Sequence, residues 1–91
     1  MIRVLVVDDH AVVRQGIKGI LQEDENMEVV GEATNGAEAL ERLLYDQVDV
    51  VIMDISMPGM SSLEAIRHIR HDYPRVAVLV LSVHPEEQYA N

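Results

Sequence analysis

Two hydrophobic rhythms take turns along this chain, a continuous or alternating one suited to strands and a helical one. Arg3-Val4-Leu5-Val6-Val7 is a short β-branched run that reads as a strand and ends in Asp8-Asp9. From Ala11 to Glu23, Val13, Ile17, Ile20 and Leu21 recur at helical spacing, with Arg14, Gln15 and Lys18 on the other side. Met27 to Ala33 alternates as a second strand, Asn35-Gly36 turns the chain, and Ala37 to Tyr45 gives a second helix with Leu40, Leu43 and Leu44 inward. Val50 to Met53 is four apolar residues in a row, the pattern of a strand covered on both faces. It stops at Asp54, and Pro58-Gly59 turns the chain. Ser61-Ser62-Leu63-Glu64 opens a third helix with a capping-box pattern; Leu63, Ile66 and Ile69 form its stripe and Pro74 marks its end. Val76 to Leu81 is a fourth strand, and His84-Pro85-Glu86-Glu87 reads as the first turn of one more helix.

Strict alternation with short connections predicts an α/β fold: a parallel sheet with helices on its faces and right-handed crossovers. Ninety-one residues fit one domain, 1–91, with no repeat, low-complexity segment or linker.

Composition narrows the function. Sixteen acids against seven Lys and Arg give a formal charge of −9, which repels a phosphate backbone and suits a divalent cation or a basic partner. No cysteine is present, so disulfides and thiolate metal sites are excluded. No apolar run approaches membrane-spanning length and no secretory signal is evident, which together predict a cytoplasmic protein.

The chemistry-bearing residues fall at strand ends: Asp8 and Asp9, then Asp54, then Ser82. In open parallel sheets, ligands collect beyond the carboxyl ends of the strands. If the first, third and fourth strands are neighbours, these groups meet at one rim. A buried carboxylate there wants a cation or donors, and a hard ion such as Mg²⁺ relieves repulsion among three acids while leaving room for a phosphoryl oxygen. An Asp so placed can act as a nucleophile towards phosphorus. Taken singly, Asp8 or Asp9 could be a helix cap, and Ser82 a cap for the helix at Pro85. His68 and His71 stand at i,i+3 but are crowded by Arg67 and Arg70, so they read as a solvated face. His10 reads as a local hydrogen-bonding partner of the acids.

Asp8-Asp9, Asp54-Ile55-Ser56-Met57-Pro58-Gly59-Met60 and Val80-Leu81-Ser82 together resemble the receiver domain of bacterial two-component response regulators. Asp8-Asp9-His10 followed by Val12-Val13-Arg14-Gln15-Gly16 looks most like the NarL/FixJ branch of transcriptional regulators. The resemblance covers the whole chain. It implies a flavodoxin-like fold with strand order 2-1-3-4-5, and phosphorylation of Asp54 by a histidine kinase. It further implies Mg²⁺ held by Asp9, Asp54 and the backbone carbonyl of Ser56, with Asp8 acting through water and Ser82 as the phosphate-binding switch residue.

The chain departs from the family in three places. Ser61-Ser62 stands where receivers commonly carry Asp-Gly; serine is a good N-cap, so the helix start should survive. The sequence stops at Asn91, before the fifth strand with the family's catalytic Lys and before the last helix. The branch's helix-turn-helix, through which DNA would be bound, is also absent. The sequence therefore reads as an N-terminal fragment with sheet order 2-1-3-4. Its open fourth-strand edge predicts dimerisation, there or through other receiver surfaces.

Two other functions share parts of this pattern. A haloacid-dehalogenase-type phosphatase also uses an aspartyl phosphate and Mg²⁺, but carries a second acid two residues after the nucleophile, where this chain has Ser56. A flavin-binding module of the same fold needs a phosphate-cradling loop after the first strand, where Asp8-Asp9-His10 would repel phosphate.

Overall fold

β1 (Ile2–Val7), α1 (Ala11–Gln22), β2 (Met27–Ala33), α2 (Gly36–Tyr45), β3 (Val50–Asp54), α3 (Ser62–Asp72) and β4 (Ala77–Leu81) follow one another in the order the periodicity predicts. They come from a computed structural model that describes residues 1–54 and 62–81. The helix-like segment at His84-Pro85-Glu86-Glu87 lies outside the described residues.

The strands form one parallel sheet in the order β2-β1-β3-β4, the flavodoxin-like arrangement. β1 and β3 are therefore neighbours, and their last residues share a rim: Val7 is level with Met53, one residue before Asp8 and Asp54 respectively. The opposite ends are stapled. The Arg3 N–H donates to Asp49 Oδ2 at 2.8 Å, and the Asp49 N–H returns a bond to the Arg3 carbonyl at 2.8 Å. The Arg3 backbone donor holds the Asp49 carboxyl below its ordinary value. This exchange fixes the β1–β3 register and hence which residues meet at the far end.

Each face of the sheet carries its own core. On one, Leu5, Val7, Val51 and Met53 pack with Ala39, Leu43, Ala65 and Ile69 of α2 and α3. On the other, Val4, Val6 and Ile52 meet Ile17 and Leu21 of α1. The uninterrupted apolar run of β3 is thus explained: alternate residues serve opposite cores.

Ile20, Leu44 and Leu63 are corrections to the helical stripes read from sequence, being 73%, 69% and 61% exposed. The fully buried residues are few: Gly36, Ala39 and Leu43 on α2, Ser62, Ala65 and Ile69 on α3, and none on α1. A helix that buries so narrow a stripe leaves an apolar neighbour one position off it facing outward. Arg14 and Lys18 are a second correction: they do not lie on an outer face but reach back to β2, as described below.

The β1–β2 register skips Val30, between Val4↔Val29 and Leu5↔Gly31. The Arg42 Nη2 donates to the Val30 carbonyl at 3.2 Å, and its guanidinium covers Gly31. A Cβ on Gly31 would come within 2.9 Å of Arg42 Cζ and Nε, so a larger residue there would push the guanidinium aside.

Candidate functional site

The β1–α1 junction turns immediately after the sheet, which leaves Asp8 as the last buried residue of the strand and lifts Asp9 and His10 towards solvent. Asp8 and Asp54 are each 1% exposed. Asp8, Asp9, His10 and Asp54 each offer a ligand atom, and these atoms all lie within 4.8 Å of one another. Among the described residues no other group of three or more His, Cys, Asp or Glu side chains converges in this way. His68 and His71 do not contribute to such a group; both are exposed and lie beside Asp72.

Asp8 is fixed on nearly every side. Its N–H donates to the Ala33 carbonyl at 3.0 Å, and its own carbonyl accepts from Arg14 Nη1 at 2.7 Å. Oδ1 accepts from the His10 N–H at 2.7 Å, with His10 Nδ1 at 2.9 Å. Oδ2 is buried and has no hydrogen-bond partner. A buried carboxylate oxygen left without a donor is costly. The cost is offset if a cation or its water fills the space that Oδ2 faces. The cluster can therefore hold a metal ion, and its oxygen-rich donors suit a hard one.

His10 lies against the two β1–α1 carboxylates of the cluster. Its Nδ1 lies 2.9 Å from both Asp8 Oδ1 and Asp9 Oδ1. The hydrogen bond to Asp8, then the charge of Asp9, raises its pKa above the usual histidine value. The ring is 59% exposed, so it sits at the mouth of the cluster rather than inside it.

Asp54 is set by β3 and by α3. The buried Ser62 hydroxyl, 3% exposed as a residue, donates to the Asp54 main-chain carbonyl at 2.7 Å. Of the residues singled out in the sequence, Asp8, Asp9 and Asp54 are brought together; Ser56 and Ser82 lie outside the described residues. Sequence reasoning missed Ser62 as a support for Asp54, and missed Arg14 with Glu32 and Lys18 as a support for Asp8. An i,i+4 cationic pair on α1 opposite an acid near the end of the adjacent strand was the available signal for the second.

A family model described as the response regulator receiver domain matches residues 4–91. The response regulator UvrY of Escherichia coli (strain K12) is 48% identical over 86 residues, covering 94% of this chain and 39% of that protein. The transcriptional regulatory protein DegU of Brevibacillus brevis is 41% identical over 88 residues, covering 97% and 37%. The isolated REC domain of RcsB from Salmonella enterica serovar Typhimurium, solved in the presence of the phosphomimetic BeF3-, superposes with a TM-score of 0.85 at 28% identity, covering 98% and 67%. The chain spans less than half the length of the two curated relatives.

Proposed function

The chain belongs to the response regulator receiver family, among regulators of the NarL/FixJ type, and from that premise we propose that it is a phosphoacceptor switch modified on Asp54 by a histidine kinase. Membership supports a signalling module over an enzyme that turns over a separate substrate, and counts against the phosphatase and flavin alternatives.

The observation that carries the proposal is Asp8 Oδ2, buried without a hydrogen-bond partner in a cluster of acids at the sheet's rim. Mg²⁺ fits those donors. Asp9, Asp54 and the Ser56 carbonyl would hold it, with Asp8 acting through water. When bound, the ion supplies charge that offsets both the carboxylates and an incoming phosphoryl group.

The chain's own residues do the rest. An Asp54 carboxylate oxygen attacks phosphorus, the new O–P bond forms as the bond from phosphorus to the kinase's histidine nitrogen breaks, and that nitrogen keeps the electron pair. Ser62 and β3 fix the main chain from which the attacking carboxylate projects, and an ordered nucleophile gains rate. Ser82 would hydrogen-bond the phosphoryl group. The gain of charge and acceptor oxygens then biases the segment that follows Ser82.

A histidine kinase, a second receiver through receiver surfaces or the β4 edge, and DNA through a helix-turn-helix domain outside this sequence are the proposed partners. The proposed address is the cytoplasm. Among the described residues no helix is long and apolar enough to cross a membrane. The test is incubation with Mg²⁺ and a small acyl phosphate, followed by intact-mass measurement. A phosphoryl adduct on the wild type that is lost in Asp54→Asn is expected; an equal adduct on both would overturn the assignment.

A further inference from the structure

Arg14 joins α1 to two different pieces of the sheet. Its Nη1 donates to the Asp8 main-chain carbonyl at 2.7 Å, and its Nε donates to Glu32 Oε1 at 3.0 Å. Only 17% of the side chain is exposed. One turn later Lys18 reaches the other oxygen, Glu32 Oε2, at 2.7 Å. Both bonds hold the Glu32 carboxyl below its ordinary value, Lys18 contributing most. Glu32 in turn sits on β2 one residue before Ala33, whose carbonyl receives the Asp8 N–H.

We propose that Arg14 is a positioning residue for the cation site: by clamping the Asp8 carbonyl to Glu32 it fixes the aim of Asp8 Oδ2. The proposal rests on the reading of Asp8, Asp9 and Asp54 as a Mg²⁺ site and adds to it a residue that touches no metal. The planar fork of a guanidinium serves two acceptors in fixed directions, which an ammonium does not. With the N–H, the carbonyl and Oδ1 of Asp8 all tied, the remaining oxygen has little choice of direction. Without the Arg14 side chain the peptide after Asp8 loses the anchor on its carbonyl, leaving the His10 N–H bond to Asp8 Oδ1 as its remaining tie.

Two effects of Arg14 oppose each other. Its positive charge repels a divalent ion, while its clamp orients the ligands. The charge is shared with the Glu32 carboxylate, which screens it. Outer-shell partners that orient metal ligands change affinity by roughly 10–100-fold when removed. The clamp is therefore the larger effect, and removing Arg14 weakens binding.

The experiment is calorimetric titration of the 91-residue chain with Mg²⁺, with circular dichroism recording the fold of each variant. Arg14→Gln is expected to bind about tenfold more weakly, and Arg14→Lys to recover part of the loss. Lys18→Ala removes a Glu32 ion pair of the same kind without touching Asp8, and should bind as the wild type does. Equal or tighter binding by Arg14→Gln, or an equal loss in Lys18→Ala, overturns the proposal. Should Arg14→Gln fail to fold, Glu32→Ala keeps Arg14 but removes the oxygen that anchors its Nε; a smaller loss supports the clamp and unchanged affinity overturns it. A wild type that binds no Mg²⁺, or binds it equally in Asp54→Asn, overturns the underlying magnesium reading itself.

Discussion

The Ser62 hydroxyl donates to the main-chain carbonyl of Asp54 at 2.7 Å, so the first residue of α3 is tied directly to the last residue of β3. The connection matters because the carbonyl and the carboxylate belong to the same residue. Ser62→Ala removes the donor without adding bulk, and should lower stability by about 1 kcal/mol. Chemical denaturation would measure this. A Ser62→Ala chain as stable as the wild type would mean that the bond contributes nothing net.

Core packing on the α3 side gives a sharper contrast. Ile69 is fully buried, whereas Leu63 on the same helix is 61% exposed. Ile69→Ala should cost about 2–5 kcal/mol, a large share of a small domain's stability. Leu63→Ala should stay within about 0.5 kcal/mol. Similar losses in the two melts would show the stripe of α3 to be placed wrongly.

Element order was legible in the sequence because hydrophobic period and short connections constrain it strongly; the sheet order came from the family resemblance. β2, Met27–Ala33, was read at its observed limits, and the helices to within a residue or so. The convergence of Asp8, Asp9 and Asp54 was conditional on that sheet order, which the structure bears out. Ile20, Leu44 and Leu63 were misread because periodicity gives the apolar side of a helix, not how closely that helix sits. Ala39 and Ala65, both fully buried, carry little hydrophobic signal of their own. Arg14 and Lys18 were misread as outward because long cationic side chains cover apolar ground before reaching a partner. That partner, Glu32, is remote in sequence.

Glu32 makes stability depend on pH. Lys18 and then Arg14 lower its folded-state pKa below the ordinary value of 4.5. Its contribution is present in full above that value and is lost as the pH falls through the lowered one. Because the side chain is about a third exposed, solvent screening limits the contribution to about 0.5–1 kcal/mol. Wild type should exceed Glu32→Gln by that amount at neutral pH, and the difference should close below pH 4.5 in a series of thermal melts. A difference that persists unchanged in strong acid would rule this out.

The carboxylates of the cluster also repel when no metal is added. Unit charges 4.8 Å apart repel by about 3 kcal/mol at an effective dielectric constant of about 20; the exposure of Asp9 and the proximity of His10 reduce this. Asp54→Asn removes one of these charges. In a chelator it should melt at or above the wild-type temperature, although a buried polar group has been altered. A clear loss of stability in chelator would mean that attraction, not repulsion, dominates around Asp54.

Thermal melts with and without Mg²⁺, run on the wild type and on Asp54→Asn, test the central claim most directly. A ligand at about 100 times its dissociation constant stabilises the folded state by about 2.7 kcal/mol. The account predicts a rise in melting temperature with Mg²⁺ for the wild type, saturating with concentration, and little or none for Asp54→Asn. The same rise in both chains would contradict it.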